Sequence, residues 1–384
     1  MPLDHLHLRN FGPITEADVH FGDLTVFVGH QASGKSILLQ TLRLLTDRAY
    51  ITKTCETYGR AWNGPDEFAD MYYGEGMRSL LSGHSITWNG ENVPFARLTD
   101  RRGQRSADPL SFYIPAQRVL AFSREGWLRP FSEFPPGTPF ALGEFSDRLR
   151  LLLELEFEHG DEGVIFPQKR RLPSEIRDLL INSVFPGFSL RIEQHFTTKR
   201  LALNGGDGIG SLPYMVWSAG QRECVPLLLG LYWLMPAGMN PRRQSIKRVV
   251  LEEPEMGLHP KAIVAVLAAV CELLARGYKV SLTTHSPQVL DLVWALGALK
   301  KQARRKGTPE ALVKLLTLPN NVHSLDMARK LLKKSTKVYF FERGQPVRDI
   351  SGLSPGSDEH NEASWGGLSD FSGRAAEVVS DANS

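Results

Sequence analysis

The stretch Gly29-His30-Gln31-Ala32-Ser33-Gly34-Lys35-Ser36 decides how this chain folds, and it directly follows the apolar run of residues 24–28. It has the pattern G-x-x-x-x-G-K-[ST], which needs a buried strand before it and a helix after it. Leu38, Leu42 and Leu45 recur at helical spacing behind it, so the sequence predicts strand, loop and helix in that order. We therefore predict a phosphate-binding P-loop. The alternative is an ordinary glycine turn before a helix.

All eight residues of this loop are predicted nucleotide contacts. In a P-loop the backbone N–H groups and the helix N-terminus converge on phosphate oxygens. The Lys35 ammonium would reach the β- and γ-phosphates, and the Ser36 hydroxyl would hold Mg²⁺. The predicted cofactors are thus ATP and Mg²⁺.

Length and composition limit the class of protein. The chain has 384 residues, enough for two or three units, and its 42% hydrophobic and 23% charged residues are typical of soluble globular proteins. No run reaches the roughly 18 apolar residues of a membrane span, and the N-terminus does not resemble a signal peptide. The three cysteines show no metal-ligand spacing. We expect a cytoplasmic protein, and a net charge of +3 does not imply nucleic acid by itself.

The composition and the pattern of predicted helices and strands change along the chain, and these changes predict four units. Residues 1–118 would form a first α/β lobe that contains the P-loop. Residues 119–215 carry a Pro-rich stretch, two helical patterns and two strands around a turn, which indicates an inserted α+β subdomain. Residues 216–345 again show strand patterns that alternate with helix patterns, and we predict that they form a second α/β lobe. Residues 346–384 are polar and rich in Gly and Ser, and we predict a C-terminal tail.

A second motif is an apolar strand that ends in carboxylates, at residues 249–255. This is the Walker B arrangement, in which Glu252 would order Mg²⁺ opposite Ser36. Glu253 would then polarise the water that attacks the γ-phosphate. Neighbouring residues on a strand point to opposite faces, so two acids at its end can take separate roles. Taken alone, the string fits a solvated acidic turn equally well.

Three weaker signals complete the set. The first is a helix start with small residues: Ser218, Ala219, Gly220 and Gln221. Its N-terminus could meet a phosphate, with Ser218 as the helix cap. His285, at a strand end, could bond a γ-phosphate or the attacking water, and Gln117 could ligate Mg²⁺. Taken singly, these signals fit a capped helix without a ligand, a structural histidine and an ordinary loop glutamine.

Together, and in their order along the chain (P-loop, Gln117, the helix start at Ser218, the acids at Glu252, His285), the five elements resemble the ATPase core of the ABC superfamily, in its soluble SMC/RecF-like branch. Residues 8–12 are similar to the opening strand of that branch, and residues 252–260 and 283–287 to OLD-related ATPases, many of which serve in bacterial anti-phage systems. The resemblance implies an α/β P-loop NTPase fold with an ABC-type ATPase head and an inserted α+β subdomain. It also implies that Arg9 and Asn10 contact the nucleotide.

The resemblance further implies a head-to-tail dimer with composite sites. In that arrangement the helix start at Ser218 closes on the γ-phosphate held by the other chain's P-loop. The chain departs from the family pattern at four places. The P-loop reads Gly29-His30-Gln31 where this branch commonly has Gly-Pro-Asn, Ala219 replaces the commonest Gly, Glu252 replaces the usual Asp, and Pro226 lies early in the helix that follows Ser218. We expect Pro226 to kink that helix or to limit its first turns.

The resemblance leaves two functions open. The first is a regulatory ATPase that controls a protein effector encoded nearby, in anti-phage defence. The alternative is a RecF-like ATPase of DNA repair or maintenance; a transporter subunit and a scaffold with little hydrolysis are further alternatives. We expect no nuclease activity in this chain, because the roughly forty residues after Gly344 are too few for the TOPRIM domain of OLD nucleases.

Two basic segments bear on nucleic acid as a partner. They are residues 300–306 and the lysines and arginine between Arg329 and Lys337. Such residues could contact phosphates, and the alternative is a solvated helix face. No interleaved aromatic residues suggest base stacking.

Overall fold

The computed structural model describes residues 4–100, 108–157, 163–195, 198–206, 208–236, 242–302 and 306–382. The strands in these ranges are β1 (His5–Phe11), β2 (Ile14–His20), β3 (Leu24–Gly29), β4 (Ser85–Trp88), β5 (Glu91–Asn92), β6 (Ser111–Ile114), β7 (Val164–Phe166), β8 (Phe188–His195), β9 (Thr198–Gly205), β10 (Ser211–Pro213), β11 (Arg248–Glu252), β12 (Lys279–Thr283), β13 (Thr336–Phe341) and β14 (Arg348–Asp349). The α-helices in the same ranges are α1 (Lys35–Thr57), α2 (Pro65–Tyr73), α3 (Phe95–Leu98), α4 (Phe140–Glu156), α5 (Ser174–Ser183), α6 (Ala219–Leu234), α7 (Pro260–Ala275), α8 (Pro287–Lys301), α9 (Thr308–Leu315), α10 (Val322–Leu331), α11 (His360–Ala363) and α12 (Asp370–Ala382).

A six-stranded sheet with the order β14-β13-β3-β12-β11-β6 forms the centre of the fold. Its strands pair in parallel, except that β14 runs antiparallel to β13. Every residue of β3 and β11 is buried, as expected for parallel strands covered on both faces. The predicted α/β fold class and the two predicted apolar strands are confirmed. Because parallel strands end at the same edge of a sheet, the loops after β3, β11 and β12 meet there.

Two antiparallel sheets flank the central one, with the orders β2-β1-β4-β5 and β10-β9-β8-β7. The first contains the hairpin of β4 and β5, whose turn residues Asn89 and Gly90 have φ values of 51° and 86°. The second lies within residues 119–215, which have the predicted α+β content.

Two hydrophobic cores hold these layers together. The smaller core lies around β1, β2, α1 and α2. The larger contains residues of α4, α5, β8 and β9 together with those of α6 and α7. Residues 119–215 therefore share a core with the second lobe, and the exact unit boundaries at 118, 215 and 345 stay predictions.

The C-terminal segment differs from the polar tail expected of residues 346–384. Its strand β14 extends the central sheet, and Ile350, Leu353 and Trp365 are buried in the larger core. The Trp365 indole N–H donates to Asp291 Oδ1 at 2.7 Å. Three large apolar side chains in a Gly/Ser-rich background are thus enough to dock the first part of the segment. Average composition conceals such isolated anchors.

Helix α6 continues through Pro226 to Leu234, so this proline does not limit the helix to its first turns. A proline removes only one backbone N–H from the hydrogen-bond ladder, and the buried apolar residues that follow it hold the remaining turns against the core. None of the described helices combines the length and the apolar character that a membrane crossing needs.

Candidate functional site

The loop after β3 has the backbone that its glycines predict. Gly29 has φ 132°, and a Cβ there would lie 2.0 Å from the Phe341 carbonyl oxygen of the neighbouring strand β13. Gly34 has φ 101° and caps the N-terminus of α1. Only glycine fits both the left-handed backbone and the close approach at residue 29. The chain therefore passes from a buried strand through a tight loop directly into a helix N-terminus, which is an anion-binding arrangement.

Lys35 lies under this loop and is 6% exposed. Its ammonium donates to the carbonyl oxygens of Gly29, at 2.8 Å, and of His30, at 2.6 Å. Burial lowers the pKa of Lys35 to about 8, and the charge of Glu253 opposes that shift. Phosphate oxygens would give this lysine stronger acceptors than two neutral carbonyls, so the site favours an anionic ligand.

Glu252 ends β11 in a buried position beside Ser36. Burial raises the pKa of the Glu252 carboxyl, while contacts with the hydroxyls of Ser36 and Tyr113 and with the Ala116 N–H oppose the shift. Its Oε2 accepts from the Ala116 N–H at 3.1 Å, whereas the buried Oε1 has no hydrogen-bond partner among the described residues. A carboxylate oxygen without a partner next to a hydroxyl is the oxygen donor set that Mg²⁺ prefers. These residues fit the ion.

Glu253 follows immediately and points to a different environment. Its φ is 42°, and its N–H donates to the Thr283 carbonyl and hydroxyl oxygens, each at 3.1 Å. His285 Nε2 lies 3.5 Å from Glu253 Oε1. The interaction with His285 is the main reason that the pKa of Glu253 is lowered, and the charges of Lys35 and Arg118 lower it further. Glu253 is therefore an ionised acceptor at neutral pH.

Glu255 holds the loop that carries the histidine. Its Oε1 accepts from the Thr284 hydroxyl at 2.7 Å and from the His285 N–H at 2.6 Å. The loop after β11 is thereby tied to the loop after β12. The sequence indicated no such role, because a third acid in an acidic run looks like part of a solvated turn.

The predicted residues and several unpredicted ones line one cleft of about 940 Å³. The predicted members are Gln31, Ala32, Gly34, Lys35, Ser36, Glu253 and His285. The members that the sequence did not indicate are Gly12, Pro13, Thr15, Ile37, Met77, Ser79, Leu80, Arg343 and Gly344. Three other clefts, of about 450, 560 and 490 Å³, contain none of the predicted site residues.

The additional residues extend the cleft beyond the phosphate loop. Met77 and Leu80 provide apolar surface on one wall, and Arg343 adds a second cation. Only Gly12, the last residue of the segment that resembles the opening strand, and its neighbour Pro13 had a usable signal in the sequence. Arg343 is brought in by β13, which pairs with β3 across more than three hundred residues.

Some predicted residues do not line this cleft. Arg9 is exposed and pairs with Glu16 at 2.9 Å, and Asn10 is exposed with φ 48°. Gln117 is exposed, although its neighbour Ala116 contacts Glu252. Their contacts with nucleotide and metal stay predictions.

The helix start at Ser218 also lies outside the cleft. Ser218 and Ala219 are exposed, and Ser218 is the cap of α6 as predicted. Its hydroxyl accepts from the Gln221 N–H at 3.2 Å, and the Gln221 side chain accepts from the Ser218 N–H at 3.0 Å. This reciprocal capping box gives α6 a well-formed N-terminus, whose first residues are exposed and do not line the cleft of the chain's own P-loop.

Comparison with known families assigns this geometry to a class. A family model described as "AAA domain, putative AbiEii toxin, Type IV TA system" matches residues 96–291, just over half of the chain. A second model, "AAA ATPase domain", matches residues 1–74 and so includes the P-loop. The chain belongs to the first of these families and is an ATP-binding P-loop ATPase.

More distant likenesses exist among solved structures. The chain is similar to "Crystal structure of the SmcHead bound to the C-winged helix domain of ScpA", with 11% identity, coverage of 91% of this chain and 97% of that one, and a TM-score of 0.41. It is also similar to the SMC head domain from Thermotoga maritima, with 13% identity, coverage of 91% and 99%, and a TM-score of 0.34. Likenesses this distant carry no further argument. No curated protein matches the chain.

Proposed function

We propose that this ATPase hydrolyses MgATP at two composite sites of a head-to-tail dimer, and that the cycle controls a separate protein effector in bacterial anti-phage defence. The observation that carries the dimer is the separation of two phosphate-binding elements. The cleft holds the P-loop, Glu253 and His285, while the capped helix N-terminus at Ser218 is exposed and does not line it. In a two-fold dimer each helix start would complete the partner's cleft.

The cleft residues have separate roles in the proposed reaction. Lys35 would leave its loop carbonyls and neutralise the phosphates. A water attacks the γ-phosphorus, the bond to the ADP oxygen breaks, and the water's proton passes to the Glu253 carboxylate. His285 holds that carboxylate and can donate to a phosphate oxygen. Mg²⁺, held by Ser36 and Glu252, would neutralise charge that develops on the phosphates.

Replacing the proposed base tests this function. Glu253→Gln should keep nucleotide affinity and lose most hydrolysis, about a hundredfold or more in kcat, because the amide cannot accept the proton. Light scattering should then show twice the chain mass with ATP and a single chain with ADP. Glu310→Gln, an exposed change on α9, is the matched control. Wild-type turnover by Glu253→Gln would assign the base to another residue.

Mixing two inactive variants tests whether the sites are composite. Lys35→Ala removes the phosphate lysine, and Ser218→Arg blocks the helix start, so neither homodimer has a complete site. A mixed dimer has one complete site, and an equal mixture should regain about a quarter of wild-type activity if the sites work independently. Folded variants that dimerise as a mixture without regaining activity would contradict the composite site.

The role in defence is supported by the family and by the architecture. The matching family is described with a toxin and a toxin–antitoxin system, and residues 119–215 are not needed by the nucleotide cleft. Phage plating on cells that carry this gene with its native neighbours is the test. Protection should be present with the wild-type chain and absent with Lys35→Ala. Equal plating in both strains would contradict the proposal.

The basic segments give the DNA-repair alternative less support than the sequence suggested. Residues 303–305 lie outside the described residues. Three lysines of the second segment pair with carboxylates: Lys330 with Asp326 at 2.7 Å, Lys334 with Asp23 at 3.3 Å, and Lys337 with Asp349 at 2.8 Å. Paired lysines attract phosphate less than free ones, which favours a solvated helix face. Tight, salt-sensitive DNA binding by the purified chain would reverse this preference.

A further inference from the structure

Arg118 is a fully buried cation that contacts two of the motifs at once. It begins the 3-10 turn Arg118–Ala121, a few residues after the end of β6, and its side chain has no exposed surface. Its Nε donates to the Glu223 carbonyl at 3.0 Å, and one terminal nitrogen lies 3.2 Å from the Glu223 carboxylate. The terminal nitrogens also donate to the carbonyls of Glu252, at 3.2 Å, and Glu253, at 3.2 and 3.3 Å.

These contacts join the helix that starts at Ser218 to the end of strand β11. Glu223 lies within the first two turns of α6, and Glu253 is the residue that the cleft presents to the attacking water. A guanidinium is planar and rigid, with its donors in a fixed fork, so it fixes the spacing of the groups that it bridges. A shift of α6 therefore changes the position of the Glu253 carbonyl or breaks these bonds.

The backbone at Glu253 needs such support. A φ of 42° at a residue other than glycine is strained, and strained backbone persists only where its neighbours fix it. Thr283 fixes the N–H side of Glu253, and Arg118 fixes the carbonyl side. The direction of the Glu253 side chain thus depends on both contacts.

The first turn of α6 packs directly on the loop that follows β11. A Cβ on Gly220 would lie 3.2 Å from the Gly257 carbonyl oxygen, and a Cβ on Gly257 would lie 3.0 Å from Glu223 Cγ. The start of α6 therefore has little freedom to move without moving the loop that carries Glu253 and Glu255.

We infer that Arg118 is a positioning residue that couples the start of helix α6 to the catalytic carboxylate of Glu253. This inference rests on the proposed function, because it is the partner's γ-phosphate that would engage α6 at Ser218. That contact sets the position of Glu223, Arg118 transmits it to the Glu253 carbonyl, and the carboxylate is aimed only when the dimer has closed. Hydrolysis is thereby made to depend on the assembled state.

Glu223 offers a cleaner test than the buried arginine. Glu223→Ala removes the carboxylate contact from α6. It leaves in place the bond of Arg118 to the Glu223 carbonyl and its bonds to Glu252 and Glu253, so it tests the charged part of the link. We expect kcat to fall about tenfold, which corresponds to about 1.4 kcal/mol for the loss of one buried ion-pair contact. The KM for ATP should change less than about twofold, because Glu223 does not line the cleft. Glu223→Gln, which keeps an acceptor, should restore most of kcat, and Glu310→Ala is the matched control.

A double-mutant cycle with Arg118→Lys then tests the coupling. The double variant should be no slower than the slower single variant, because both changes remove the ion pair between Arg118 and the Glu223 carboxylate. Wild-type kcat in Glu223→Ala, a loss confined to KM, or effects that multiply in the double variant would overturn the inference. If Arg118→Lys does not fold, the kcat values of Glu223→Ala and Glu223→Gln decide whether the inference stands.

Light scattering with ATP on the same samples distinguishes failure of the proposed dimer from failure of the proposed link between α6 and Glu253. A wild-type chain that hydrolyses ATP without dimerising refutes the composite site, while the cycle still measures the link from α6 to Glu253 within one chain. A Glu223→Ala chain that dimerises normally and turns over slowly supports the coupling. The same chain dimerising and turning over at the wild-type rate refutes it.

Discussion

Nucleotide binding should be accompanied by proton uptake at Lys35. In the free protein burial lowers the pKa of this lysine to about 8, from an ordinary value of 10.5. Phosphate oxygens favour the charged form, so binding should return the pKa at least to its ordinary value. A neutral lysine must then be protonated before it can neutralise phosphate, and affinity is lost as the pH rises through about 8.

The size of this effect follows from the two pKa values. At pH 9 about nine-tenths of the free protein carries a neutral Lys35, so binding takes up about 0.9 proton, compared with about 0.5 at pH 8. The corresponding loss of affinity between pH 8 and pH 9 is about fivefold, or about 1 kcal/mol. Phosphate groups titrate near about pH 6 and contribute little in this range.

Calorimetry with a non-hydrolysable ATP analogue, in two buffers of different ionisation enthalpy at each pH, measures the uptake directly. Lys35→Arg is the matched variant, because a guanidinium stays charged at pH 9, and its residual binding should show almost no uptake. An uptake close to zero for the wild-type chain at pH 9 would refute the reasoning. Lys35 would then already be charged in the free protein, or would not meet the phosphates.

Two further predictions concern the walls of the cleft. Gly29→Ala should lower the free energy of unfolding by about 1–3 kcal/mol and weaken ATP binding, because its Cβ would meet the Phe341 carbonyl at 2.0 Å. Gly64→Ala is the control, because Gly64 has a similarly positive φ of 98° but no atom within 4 Å of a Cβ built there. If chemical denaturation shows the same loss of unfolding free energy in both variants, backbone strain alone would explain the loss and the contact with Phe341 would not contribute. Arg343→Ala should weaken ATP binding about threefold to tenfold by removing one charged contact, whereas Arg329→Ala, an exposed change outside the cleft, should not. Equal affinities in calorimetry would show that Arg343 faces solvent.

The parts of the site that sequence predicted are those whose geometry is local. The P-loop follows from glycines between an apolar strand and a helical repeat, and each of these lies within about twenty residues. Ser218 was predictable as a cap for the same reason, since its partner Gln221 is three residues away. Arg343 was not, because only the pairing of β13 with β3 brings it to the cleft. Pairing between strands that are far apart in the sequence leaves no periodic pattern at a residue such as Arg343, which that pairing brings to the cleft.

The acidic run shows most clearly how local backbone assigns separate chemistry to similar residues. Glu252 is still in β11 and points into the interior, where burial raises its pKa and leaves one oxygen for a cation. At Glu253 the strand ends in a left-handed residue, so the carboxylate lies beside His285 with a lowered pKa. Glu255 turns back to bind the His285 N–H. Strand alternation alone separates the first two acids, but the φ of 42° and the bonds that hold it decide where Glu253 points. The buried Arg118 provides two of those bonds, and this is why we propose it as a positioning residue although it does not line the cleft.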